Sequence, residues 1–205
     1  VATRHKLTAG GASTREHILS AAKTVLETVG FAGFSTPRVA KQAGISQGNL
    51  TYYFPNRDDL VLAVADSIVE EYAVAFSAFY EKLDTLDLAG FEQIVTWLID
   101  DATCGKTAGV IPELWALSNH NDDVAHAMHK LYDDTACAFA RSIGILPSDQ
   151  RYANFMSVVY FLAATVEGAT AIHVTRPSDR DQRLKMLKAT AVPTLARMLF
   201  DASKV

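Results

Sequence analysis

Residues 36–54 read TPRVAKQAGISQGNLTYYF, two short helical stretches on either side of a glycine, and their spacing decides how the chain is organised. Thr36 stands where a hydroxyl can cap the first stretch, and Pro37 where a first-turn residue needs no N–H donor. Val39 and Ala43 recur four apart on one face, with Ala40 small where a second helix must pass close by. Gly44 can take the left-handed backbone that ends a helix and turns the chain. Ile45 then returns to the core, Ser46 can cap a second helix, and Leu50 with the edges of Tyr53 and Phe54 forms its buried side. Pro55 stops it. Gln47, Asn49, Thr51, Tyr52 and part of Tyr53 are left pointing outward, side chains able to bond base edges and phosphates. This is the pattern of a helix-turn-helix. An ordinary helical hairpin with a polar face shares the spacing, so the surroundings have to separate the two.

Charge is one such surrounding. Residues 1–57 carry seven cations (Arg4, Lys6, Arg15, Lys23, Arg38, Lys41, Arg57) against Glu16 and Glu27, a balance of +5; with a total of -4, the remainder of the chain stands at -9. A basic end around the motif and an acidic remainder suit a nucleic-acid-binding head on a separate regulatory body. Upstream, Ser13 and Glu16 have capping-box spacing, and Ile18, Ala22, Val25 and Val29 recur at helical intervals until Gly30. Phe31 and Phe34 are expected in the core of a three-helix head. Residues 1–12, with Gly10 and Gly11, read as a disordered basic arm.

Downstream, Asn56 and Asp59 mark a new start, and Leu60, Val64, Ile68, Tyr72, Phe76, Phe79 and Leu83 carry one apolar stripe. Further helices are expected at 91–104, at 110–120 with Pro112 near its beginning, at 122–143 ended by Gly144, from Pro147–Ser148 to about 174, and from Ser178 onward. Pro193 should kink the last one. No strand pattern is found, and the reading is an all-α chain of about nine helices: a disordered arm at 1–12, a DNA-binding domain at 13–56 and a helical effector-binding and dimerisation domain at 57–205. Cys104 and Cys137 are too few for a disulfide framework. No apolar run of signal-peptide length follows the basic start, and the stretch 158–166 is interrupted by Glu167 well short of the roughly 20 residues that span a bilayer. A cytoplasmic location without membrane association is expected.

Residues 14–64 resemble the tetracycline-repressor (TetR) family of bacterial transcriptional regulators, in the helix ending VGFAGFST, the RVAKQAGIS turn and the GNLTYYFPNRDDL segment. The resemblance implies a nine-helix subunit that dimerises through its last two helices, here 148–174 and 179–202. It also implies that Thr36 and Arg38 lie near the DNA backbone, that Gln47, Gly48 and Asn49 face the bases, that Tyr52 and Tyr53 face phosphates and sugars, and that Arg57 meets a phosphate. Pro37 and Thr51 depart from residues common in the family at those places. Gln and Asn suit bidentate bonding to adenine.

Other constellations invite different chemistry. His126 and His129, with Asp122 and Asp133 a turn to either side, have a spacing that can hold a metal, yet no compact zinc spacing is present and an exposed helical face explains them better. No metal or cofactor is expected. Cys104 has no local motif that would make its thiol a nucleophile. Glu167 interrupts an apolar helix, so it must be paired, protonated or hydrogen-bonded. It either binds a ligand or pairs across a dimer with His173 or Arg176. Trp97, Trp115, Tyr132, Phe155 and Tyr160, with Glu167, are candidates to line a cavity between helices, or else are plain core. The reading is a homodimeric repressor on a near-palindromic operator, released by a small, largely apolar effector that shifts the helix beginning near Asn56. The alternatives are a helical enzyme using Cys104, Glu167 or a histidine, and a protein-interaction module.

Overall fold

A computed structural model describes residues 9–83, 85–104, 108–173 and 179–204. Nine helices and no strand occur among them: α1 (Ala9–Gly33), α2 (Thr36–Gln42), α3 (Gln47–Tyr53), α4 (Arg57–Tyr80), α5 (Leu88–Cys104), α6 (Ile111–Ser118), α7 (Asp122–Ser142), α8 (Tyr152–His173) and α9 (Arg180–Ser203). The chain forms two compact units, one running to Val69 and taking in Glu113–Ala127, the other made of Glu70–Pro112 and the chain from Met128. The first unit thus extends beyond the expected boundary at residue 56, because the stripe of α4 keeps burying Leu60, Val64 and Ile68.

Within the first unit, Ile18, Ala22, Val25 and Leu26 of α1 are buried with Phe34, Val39, Ala40, Leu50 and Phe54. α1 begins at Ala9, so residues 9–12 are helical and the expected capping box at Ser13 is not formed; Ser13 is exposed and nothing requires its hydroxyl to end the helix. Residues 1–8, with Arg4 and Lys6, lie outside the described residues. Val29 is 41% exposed, off the buried stripe where it was expected. At Gly30 the backbone leaves the helical region (φ 63°, ψ 179°), a conformation glycine adopts without a steric penalty. The next amide, Phe31 N–H, donates to the Glu113 carboxylate of α6 at 2.6 Å.

Local chemistry explains the motif itself. Ser35, not Thr36, occupies the extended N-cap of α2, and Pro37 lies in its first turn. Thr36 is already helical, and its hydroxyl accepts from Gln47 Nε2 at 3.0 Å instead of capping. Gly44 has the expected left-handed φ of 65°. Ser46 Oγ accepts the Asn49 N–H at 3.1 Å, the expected cap of α3. Asn56 Oδ1 then accepts the Asp59 N–H, and Asn56 Nδ2 donates to Asp59 Oδ2, both at 2.8 Å, so two side chains secure the first turn of α4 reciprocally.

The second unit is a helical bundle in which α5, α8 and α9 pack pairwise. Its core is built from Phe91, Ile94 and Ile99 of α5, Phe139 of α7, Phe155, Leu162 and Val166 of α8, and Leu195 and Leu199 of α9. α8 starts at Tyr152, later than expected, because Asp149 folds back as an acceptor for the Arg151 N–H at 2.9 Å and its guanidinium at 2.6 Å. Arg151 also donates to the Ser203 carbonyl at 2.7 Å. α9 continues through Pro193, and Ser178 lies outside the described residues. By length and composition α8 is apolar enough to cross a membrane. Phe155, Leu162 and Val166 nonetheless bury one of its faces in this core.

Candidate functional site

The outward face of α3 is the first candidate. Gln47, Gly48, Asn49, Thr51 and Tyr52 are all exposed, and Tyr52 is 74% exposed, a large ring that no core claims. Tyr53 is half-buried and meets the Tyr52 ring edge-on at 5.1 Å. Leu50 and Phe54 hold the opposite face in the core, which is why the polar residues share one side. Gln47 is oriented by its bond to Thr36, and the Thr51 hydroxyl is turned back to the Gln47 carbonyl at 2.9 Å. Arg38, an exposed residue of α2, donates to the Gly33 carbonyl at 2.9 Å.

Arg57, expected at a phosphate, is engaged within the head. Its Nε donates to the Phe34 carbonyl at 3.2 Å and its Nη2 to the Phe31 carbonyl at 3.0 Å, while the guanidinium stands 3.9 Å over the Phe31 ring. Nε and Nη2 are therefore engaged by the end of α1 and the connector that follows it, a clamp within the head at the residue that the sequence suggested as a phosphate ligand. Glu113 takes the N–H of the same Phe31 whose carbonyl Arg57 takes.

The second candidate is a cavity of about 100 Å³ within the second unit. Leu98, Ile111, Leu131, Val159 and Val166, with several alanines, make its walls apolar, and Tyr72, Asp101, Tyr132, Thr135, Glu167 and Thr170 bring polar groups. The space admits several waters or a compact organic group. The Tyr132 hydroxyl donates to Glu167 Oε1. Burial first, and then the negative charges of Asp101 and Glu167, push the Tyr72 phenol above the ordinary tyrosine range.

Of the six residues proposed from sequence to line such a cavity, Tyr132 and Glu167 do so. Trp97 packs with Tyr72, Phe76 and Phe79, its ring stacked 5.2 Å from that of Phe79. Phe155 is fully buried core beside Phe139, and Trp115 lies on α6 within the first unit. Tyr160 is 42% exposed, and its hydroxyl donates to Asp133 at 2.6 Å, which raises its pKa to about 12. The side chains of His173 and Arg176, the expected partners of Glu167, and that of Cys104 lie outside the described residues. Asp101 was missed. Its signal was the one that singled out Glu167, a carboxylate beside apolar Leu98 and Ala102, but adjacent Asp100 obscured it; the structure commits Asp100 to Lys188 and turns Asp101 to the cavity.

Comparison with known proteins fits this geometry. Residues 18–64 match the family described as bacterial regulatory proteins, tetR family. The HTH-type transcriptional regulator in the dhlA 5′ region of Xanthobacter autotrophicus is 26% identical over 168 residues, 81% of this chain and 82% of that one. The HTH-type transcriptional regulator RutR of Escherichia coli K12 is 33% identical over 95 residues, 46% of this chain and 44% of RutR. The solved structure of Salmonella enterica GusR superimposes with a TM-score of 0.69 at 23% identity, covering 96% of this chain and all of GusR, a shared fold.

Proposed function

We propose, from the premise that this chain belongs to the tetR family of bacterial regulatory proteins and is a DNA-binding transcriptional regulator, that it acts as a homodimeric repressor released from a near-palindromic operator by a small-molecule effector. The helical-enzyme alternative falls with that membership. Gln47, Gly48 and Asn49 read base edges, and Tyr52 and Tyr53 contact the backbone, with Thr36 and Arg38 beside them. The observation that carries the reading is the exposed polar face of α3, held outward by buried Leu50 and Phe54.

Dimerisation through α8 and α9 is supported by apolar side chains that the single chain leaves in solvent: Phe161 and Ile172 on α8, Met186 and Met198 on α9. Two heads on successive major grooves must stand roughly 34 Å apart, so a small displacement of α4 is enough to spoil the fit. The cavity between α4, α5, α7 and α8 is the proposed effector site. One helix, α6, supplies Ile111 to that cavity and, two residues on, Glu113 to the Phe31 amide.

The test is a gel-shift titration of the full chain on the DNA upstream of its own gene, against a shuffled sequence of the same length. Gln47→Ala should erase the preference between the two while the protein still melts normally. An unaltered preference removes Gln47 from the base-reading set, and equal binding of both sequences by the unmodified chain refutes operator recognition on that DNA.

A further inference from the structure

Two side-chain amides stand on the outward face of α3, those of Gln47 and Asn49, and both residues are exposed. The Asn49 amide has no hydrogen-bond partner among the described residues; it is the backbone N–H of Asn49 that Ser46 engages. Gln47 differs. Its Nε2 donates at 3.0 Å to the hydroxyl of Thr36, on the other helix of the motif, while its backbone carbonyl accepts from Thr51 at 2.9 Å. Thr36 is half-buried and Gln47 exposed, so water can satisfy both groups when their bond opens, and the bond adds little to stability. Its effect is to fix the terminal torsion of Gln47, which in a free side chain varies broadly.

A carboxamide carries one acceptor oxygen and two N–H donors. With one N–H taken by Thr36, Gln47 keeps one donor and its oxygen, which has no partner among the described residues. In the major groove adenine presents one donor, the N6 amino group, and one acceptor, N7, whereas guanine presents two acceptors, O6 and N7. A held Gln47 matches adenine with both of its remaining groups. Against guanine its oxygen meets another acceptor and a single bond can form. A freely turning Gln47 escapes this restriction, because it can offer both N–H groups to O6 and N7.

We infer that Thr36 determines base specificity through Gln47: by holding one N–H of the amide, it makes Gln47 a reader of adenine that rejects guanine. On DNA, a phosphate beside Thr36 can only accept, so it takes the hydroxyl proton and leaves the Thr36 oxygen to receive the Gln47 N–H. The inference rests on the reading of α3 as the base-reading helix and makes Thr36 a positioning residue within it, beyond a contact to the DNA backbone.

Selection of bound duplexes from a randomised library by the full chain, followed by sequencing, tests it. The base pair that Gln47 reads is the one whose preference disappears in Gln47→Ala, and there the unmodified chain should enrich adenine over guanine about fivefold or more. Thr36→Val keeps the branched shape and loses the hydroxyl. It should bring adenine and guanine within about twofold of each other at that base pair, leave the other positions unchanged and melt within about 1 °C of the parent. Thr36→Ser, which keeps the oxygen, should retain the preference. An unchanged preference in Thr36→Val, or binding weakened alike on all sequences, overturns the inference, because a backbone contact or a structural role would not move the ratio at one base pair. A loss that serine fails to restore overturns it too. Guanine favoured at the Gln47 position by the unmodified chain does the same, and that comparison holds even where a variant folds poorly. If Gln47→Ala alters no position, the base-reading role of Gln47 falls and the inference with it; if Gln47→Ala alters a position that Thr36→Val leaves intact, the inference falls alone.

Discussion

Replacing Arg57 with alanine should harm the fold of the head more than any direct grip on DNA. The guanidinium makes two hydrogen bonds to carbonyls, at 3.2 and 3.0 Å, and stacks 3.9 Å above Phe31. A hydrogen bond from a charged donor contributes about 1.5–3 kcal/mol, and a cation over a ring near the surface about 0.5–1 kcal/mol. Arg57 is only half-buried and the contacts share one group, so the lower end applies, roughly 2–3 kcal/mol in all. For a chain of this length that lowers the melting temperature by roughly 5–10 °C. Thermal unfolding followed by circular dichroism measures it, together with the salt dependence of DNA binding well below the melting point. A phosphate ligand predicts the opposite pair of results: an unchanged melting temperature and a salt slope reduced by about 0.9. Arg57→Lys sharpens the contrast, since lysine keeps the charge but cannot serve two carbonyls with a planar fork. If Arg57→Ala melts within about 1 °C of the parent, or if lysine restores full stability, the clamp is refuted.

Ser46→Ala removes the side-chain acceptor of the Asn49 N–H and should cost about 1 kcal/mol, whereas Ser46→Asp should retain the cap; urea unfolding of the two variants checks this. Asp149 is held by Arg151 with its carboxyl lowered from 3.8 to about 2, so its contribution to stability is complete above about pH 4 and lost as the pH falls toward 2. Denaturant midpoints of the parent and of Asp149→Asn should therefore differ at pH 6 and converge near pH 2, and a constant difference would contradict the pairing. Phe161→Glu with Ile172→Glu places two charges on the exposed apolar side of α8 and should convert a dimer to monomers in sedimentation experiments at micromolar concentration; a dimer that survives both changes locates its interface elsewhere.

What the sequence disclosed follows the range of the interactions involved. Gly44, Ser46 and the Asn56–Asp59 pair act within three or four residues, and each behaves as its neighbours in sequence imply. Thr36 misled by one position because Gln47, eleven residues on, engages its hydroxyl. The clamp made by Arg57 was not legible, since its acceptors lie 23 and 26 residues upstream and only the folded end of α1 and the connector after it bring them within reach. The cavity was least legible of all. Trp97, Phe155 and Tyr160 have the helical spacing that cavity-lining and core residues share, and a cavity is the space that several helices together fail to fill. Tyr132 shares that spacing and does line the cavity, whereas Glu167 was found because a carboxylate in an apolar helix must have a reason to be there, and that argument applies to Asp101 equally.

The charge of the sequence is divided, +5 through residue 57 and -9 beyond it, and the basic part suits a polyanion. Direct electrostatic action of one ligand on another is screened over about 8 Å at physiological ionic strength. On the proposed function, release therefore comes from differential affinity for two conformations, in which a coupling of about 1–3 kcal/mol is typical. The helices whose residues take part in both the cavity and the first unit, α4 with Tyr72 and Ile68 and α6 with Ile111 and Glu113, are the elements that can carry such a coupling mechanically. On this argument, weakening Glu113 should alter how strongly an effector releases DNA without altering how tightly the cavity holds it in the absence of DNA.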